Sequence, residues 1–123
     1  MTAKVKQQVY EKYNGKCAYS GTPLEDDWQV DHIIPIRHGG NSNMDNLFPA
    51  QKILNHYKRA LTLEQFRTLW LGGLHKRLAK LPINPRTGKG MNRKNYLLKV
   101  AAYFGITKDK PFNGIFYFEK DVK

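Results

Sequence analysis

A short apolar run, Trp28 to Ile34, is broken at its end by Pro35, and an acid and a histidine, Asp31 and His32, stand side by side within it. Val30, Ile33 and Ile34 favour a strand, and proline cannot continue a ladder. Arg37 to Asp45 follows as a polar loop with Gly39, Gly40, Asn41 and Asn43. Leu47-Phe48-Pro49 reads as a second short strand and Ala50 to Arg59 as a helix. Strand, polar loop, strand and helix in close succession predict an α+β fold. Such a loop, flanked by rigid elements, is where function is expected.

The rest of the chain reads as mainly helical. Residues 3–13 predict a helix with Val5, Tyr10 and Tyr13 sharing part of a face, stopped at Asn14-Gly15. Cys17 to Gly21 predicts a strand entering a tight turn, with turn residues at Thr22-Pro23 and Asp26-Asp27. Thr62 and Gln65 form a capping-box pattern for a helix that runs to Leu71 and stops at Gly72-Gly73. Leu74, Leu78 and Leu81, spaced i, i+4, i+7, predict one buried leucine face. Pro82 to Gly90 is a loop, Asn92 to Phe104 a helix closed by Gly105, and Phe112 to Phe118 a terminal strand. With 123 residues, no internal repeat and no long linker, a single domain is expected.

Charge narrows the partner. The chain carries 21 Lys and Arg against 10 Asp and Glu, a net charge of +11. A surplus of this kind points to a polyanion, most often nucleic acid. It is also unevenly placed, because no Asp or Glu occurs from Gln65 to Lys108. Lys76, Arg77, Lys80, Arg86, Lys89, Arg93 and Lys94 fall there, interleaved with Trp70, Tyr96 and Tyr103. An ordinary solvated face mixes signs, so this stretch is expected to track phosphates. The lone Cys17 allows no internal disulfide, and a reducing compartment is expected. The polar N-terminus and the absence of an apolar run near the ~20 residues of a membrane helix point to a cytoplasmic protein without membrane contact.

Asp31 offers a hard oxygen to a divalent cation, and His32 can accept a proton from water near neutral pH. An adjacent Asp-His pair alone is more often structural. The wider pattern is more specific: Asp-His-Ile-Ile-Pro, then Gly-Gly, then Asn46-Leu-Phe-Pro-Ala, then Asn55-x-x-Lys58. From Tyr13 to about Arg67 this resembles the HNH endonuclease family in its His-Asn-Asn variant.

The resemblance implies a ββα-metal nuclease core over about residues 13–67. An N-terminal helix would precede it, and a basic, mainly helical extension over about 68–123 would follow, ending in a strand. It implies a metal-dependent endonuclease that hydrolyses DNA phosphodiesters to 5′-phosphate and 3′-hydroxyl ends. His32 would be the general base, Asn46 would tie the loop and help orient the histidine, and Asp31 and Asn55 would hold one divalent metal. Lys58, Arg59 and Arg37 would meet phosphates. An all-oxygen set favours Mg²⁺ or Mn²⁺. His56 is the alternative ligand and would favour softer metals.

Many relatives carry two Cys-x-x-Cys pairs that bind a structural zinc. The corresponding positions here are Cys17, Ser20, Gln51 and Leu54, so no structural zinc is expected, and packing by Tyr19 and Leu54 should close the site. Trp28 and Trp70 are expected in the core, and His38 and His75 at the surface. The competing readings are a silent nucleic-acid-binding module, a nuclease for RNA or junctions, and a toxin-like nuclease. A monomer or a homodimer fits equally. Small free-standing HNH proteins of this kind resemble those of phages, mobile elements and restriction systems.

Overall fold

The computed structural model describes residues 2–80 and 82–120. Leu81, the last residue of the predicted leucine face, lies outside the described residues. The chain divides into two compact units, Met1–Leu63 with Ile115–Lys123, and Glu64–Gly114. The tail expected to end the basic extension therefore belongs with the first unit.

The first unit begins with α1 (Ala3–Lys12), capped by the Thr2 hydroxyl, which accepts from Val5 N at 3.2 Å. Val9 is its buried residue, in place of the predicted Val5 face. Asn14 and Gly15 both take positive φ, 55° and 77°, and so end the helix. Two strands follow, β1 (Gln29–His32) and β2 (Leu47–Ala50), paired antiparallel with Asp31 opposite Phe48 and His32 opposite Leu47. All of β2 is buried, whereas Asp31 is the one buried residue of β1.

β1 ends two residues before the expected Ile34. Asn46 explains this, because its carbonyl accepts from Ile33 N at 3.0 Å and its side-chain Oδ1 accepts from Ile34 N at 2.8 Å. A side chain replaces the ladder beyond His32. The intervening loop folds back on itself, with Gly40 N donating to Pro35 O at 3.0 Å. A Cβ on Gly40 would stand 1.7 Å from the Ile34 carbonyl oxygen. Only glycine fits that close approach.

α2 (Lys52–Lys58) follows β2 directly and buries Leu54, Tyr57 and Lys58. These positions share one helix face. Arg59 ends the helix at φ 51°, ψ −129°, a conformation that side chains other than glycine rarely adopt.

Two predicted strands are absent. Cys17 to Gly21 is a turn, with Gly21 N on Cys17 O at 2.8 Å and Cys17 N on Thr22 O at 2.9 Å. Phe112 to Phe118 also forms no strand, and a 3₁₀ turn, Tyr117–Glu119, stands at its end. Its backbone makes short links to the Cys17 turn, Tyr117 N to Tyr19 O and Phe118 N to Ala18 O. Phe116 and Phe118 pack around Tyr19 and Phe48, with ring centroids 4.6 to 6.4 Å apart. Ring packing, rather than a ladder, holds this segment.

The short α3 (Leu63–Gln65) leads into a π turn over Phe66–Leu71, where the sequence predicted a continuous helix. In the second unit, α4 (Leu74–Lys80) buries Leu74 and Leu78. α5 (Met91–Ala102) buries Leu97, Val100 and Ala101. No helix among the described residues is long and apolar enough to cross a membrane.

Candidate active site

β1, the following 3₁₀ turn (Ile36–His38) and α2 line one cleft of about 280 Å³, bordered by Asp31, His32, Arg37, Asn55 and Arg59 among others. Of the residues predicted from sequence, these five share that cleft. Asn46 lies behind it in the loop. His56 borders a neighbouring depression with Gln29, Asn55 and Arg59. It does not line the cleft of Asp31.

Asn46 is buried and fully bonded. Its amide nitrogen donates to Asn41 O at 2.7 Å and Ile34 O at 3.1 Å, while its oxygen accepts from Ile34 N. The loop is thereby tied across its width. A second tie was not foreseen from sequence: Lys12 of α1 donates to Met44 O at 2.8 Å and Leu47 O at 2.9 Å. These bonds hold the 3₁₀ turn Met44–Asn46 on which Asn46 sits. His32 is half-buried, and its Nε2 is hydrogen-bonded to Ser42 Oγ at 3.2 Å. Asn46 bonds Ile34 and Asn41, while His32 bonds Ser42 of the same loop.

Asp31 is buried and held from two sides by the fold. The Tyr19 hydroxyl donates to its Oδ2, and Lys58 Nζ lies 3.2 Å from Oδ2 and 3.4 Å from Oδ1. Lys58 also donates to the His32 carbonyl at 3.2 Å. Burial pushes the Asp31 carboxyl above the usual carboxylate range, against the pull of Lys58, the Tyr19 hydrogen bond and His32. Burial, and then the Asp31 charge, push the Tyr19 phenol well above its ordinary value. Tyr19 therefore stays a hydrogen-bond donor.

Lys58 corrects an expectation. It was placed at the phosphates, yet its side chain is 0% exposed and points its ammonium at Asp31. The reason is register: Lys58 falls on the face of α2 that also buries Leu54 and Tyr57. Arg59 and Arg37 remain exposed at the cleft.

Asn55 Nδ2 donates to Gln29 Oε1 at 2.8 Å, which fixes the amide and leaves its oxygen as a further donor atom for a cation. Among the described residues no three His, Cys, Asp or Glu side chains converge. An imidazole- or thiolate-rich metal site is therefore not on offer at the cleft. One carboxylate and one amide oxygen do suit a hard cation that keeps water or phosphate oxygens in its remaining positions. The donor set fits the implied group.

At the four positions where the resemblance would place zinc-binding cysteines, Cys17, Gln51 and Leu54 are fully buried and Ser20 is half-buried. Gln51 accepts from Glu25 N at 3.0 Å and donates to Thr22 Oγ1 at 3.0 Å and Pro23 O at 2.7 Å. One buried amide thus ties the 20–25 segment to the end of β2. The sequence reading assigned this closure to Tyr19 and Leu54 and missed Gln51. A polar residue directly after a buried strand was the available signal.

The basic residues of the second unit differ among themselves. Lys76, Lys80, Arg86, Lys89 and Arg93 are exposed and Lys94 is half-buried. Arg93 lies over the Tyr96 ring at 5.7 Å. Arg77 is turned inward: it lies 5.5 Å from the Trp70 ring and donates to the Leu69 and Trp70 carbonyls. It closes the end of the π turn, and Trp70, expected in the core, is 38% exposed. Trp28 is half-buried beside Tyr10 and Lys6. His38 bonds the Ala60 carbonyl at 2.9 Å. His75 is half-buried, with its Nδ1 buried and unbonded.

The family model of HNH endonuclease matches residues 16–50, from the Cys17 turn to the end of β2. No curated protein matches the chain. The matched segment contains Asp31, His32 and Asn46, while α2 with Asn55 and Lys58 lies just beyond it. Residues 16–50 are thus similar to the HNH endonuclease family model, which suggests a nuclease or nucleic-acid-related function.

Proposed function

We propose that the chain is a metal-dependent endonuclease that hydrolyses DNA phosphodiester bonds, with His32 as general base. The observation that carries this reading is the meeting of Asp31, His32 and Asn55 in one cleft rimmed by Arg37 and Arg59. The net charge of +11 supplies attraction to a polyanion.

His32 takes a proton from a water that attacks phosphorus in line, and the bond to the 3′ oxygen breaks, that oxygen taking a proton from solvent water to leave as a hydroxyl. The Ser42 hydrogen bond holds one ring nitrogen, so the imidazole keeps one orientation. Asn46 and Lys12 keep the Ser42 loop in place. Arg37 and Arg59 bind the phosphates on either side of the scissile bond. Asp31 and the Asn55 amide oxygen would hold a divalent cation, Mg²⁺ or Mn²⁺, which would supply Lewis-acid stabilisation of developing negative charge. Exposed Lys76, Lys80, Arg86, Lys89 and Arg93, with Lys94, add sequence-independent phosphate contacts.

A second reading, binding without cutting, draws on the same surplus charge and on Asp31 being already paired with Lys58. Chemical rescue separates the two. His32→Gly should cut a labelled DNA duplex poorly and regain activity with added imidazole, giving 5′-phosphate ends. Equal binding by both proteins with no cutting in either would support the binding module.

A further inference from the structure

Lys58 is the fully buried cation beside the candidate cleft, and none of its observed bonds serves a substrate. Its ammonium is divided between the Asp31 carboxylate and the His32 carbonyl, at 3.2 to 3.4 Å. It therefore touches both residues of the Asp-His pair, one through the side chain and one through the backbone. It also sits three residues after Asn55 on α2, so it links the strand and the helix that would supply the two metal oxygens.

We propose that Lys58 is a built-in counter-cation for Asp31, a positioning residue that shares this carboxylate with the divalent cation and keeps that cation weakly held. The inference rests on the reading of Asp31 as a metal ligand. A carboxylate has about four acceptor positions. Tyr19 and Lys58 use part of them, and Oδ1 has only the longer Lys58 contact at 3.4 Å. Room remains for a cation on the same group. Two cations on one carboxylate repel each other, most strongly where water is excluded. Lys58 therefore lowers the intrinsic affinity of the site. In exchange it keeps Asp31 oriented when no metal is bound. A buried ion pair contributes little net stability over apolar packing of the same volume, so its presence at the cleft points to this tuning role.

Lys58→Met tests the inference, with Mn²⁺ alone as the probe, calorimetric titration for affinity and thermal melts with and without EDTA. The variant should bind Mn²⁺ roughly tenfold or more tightly than wild type, because one repelling charge is gone. In EDTA it should melt lower than wild type, and Mn²⁺ should raise its melting point by a larger shift. Affinity that is unchanged or weaker, or an equal Mn²⁺ shift in both proteins, overturns the proposal. Should Lys58→Met fail to fold in EDTA, refolding on addition of Mn²⁺ supports the proposal and failure to refold overturns it. The double variant Asp31→Asn, Lys58→Met removes both charges and should melt cooperatively with no Mn²⁺ shift. A retained shift also overturns the proposal. Tighter Mn²⁺ binding in the variant together with a wild type that cuts nothing would uphold this proposal while removing the nuclease reading.

Discussion

Lys58 Nζ stands 3.2 Å from Asp31 Oδ2, and the two side chains are 0% and 5% exposed. The pair is the electrostatic centre of the first unit. It joins α2 to β1 directly behind His32, and Tyr19 completes it from the Cys17 turn. The buried ion pair and the proposed metal ligand therefore share one carboxylate.

Alkaline pH should weaken the fold through Tyr19. Burial raises its phenol well above the ordinary value, so the folded chain keeps a proton that the unfolded chain releases. The contribution is fully present below the ordinary tyrosine value of about 10 and is lost as pH rises past it. Urea unfolding measured from about pH 8 to about pH 11 should show this decline, and Tyr19→Phe should make it shallower.

Asn46→Ala should lower stability by about 1–3 kcal/mol, the cost of leaving the Ile34 N–H and two carbonyls without their buried partner. The urea midpoint should fall with an unchanged slope. Cutting should fall as well, because the loop that bears Ser42 loses its tie.

Gln51→Ala should cost about 1–3 kcal/mol for the same reason, since its amide serves the Thr22–Glu25 segment at both ends. A zinc-selective chelator should leave the melting temperature of the wild type unchanged, because the Gln51 amide ties this segment.

Gly40→Ala should be far more damaging than its exposed loop suggests. The added methyl would lie 1.7 Å from the Ile34 carbonyl oxygen. The loop must open, and overpacking of this kind costs about 1–3 kcal/mol. A thermal melt and a cutting assay should both register the change.

The two strands and the polar loop were legible because Pro35, the glycines and the β-formers are local signals. Lys58 was not. A lysine on a short polar helix reads as solvated, and only the register of α2 against β1 shows it on the buried face with Leu54 and Tyr57. The segment 112–118 misled because aromatic spacing imitates a strand. Its rings divide instead: Phe112 pairs with Phe104 in the second unit, and Phe116 and Phe118 pack on Tyr19 in the first. Arg77 was misread for a similar reason, since its carbonyl partners come from a π turn that no local pattern announces. Long-range partners decided each of these cases.

Cutting of supercoiled plasmid, wild type against His32→Ala, in Mg²⁺, Mn²⁺ or EDTA, tests the central claim most directly. Nicked or linear product that requires Mg²⁺ or Mn²⁺ and disappears with His32→Ala is the expected result. Equal cutting by both proteins, or cutting that persists in EDTA, would contradict it.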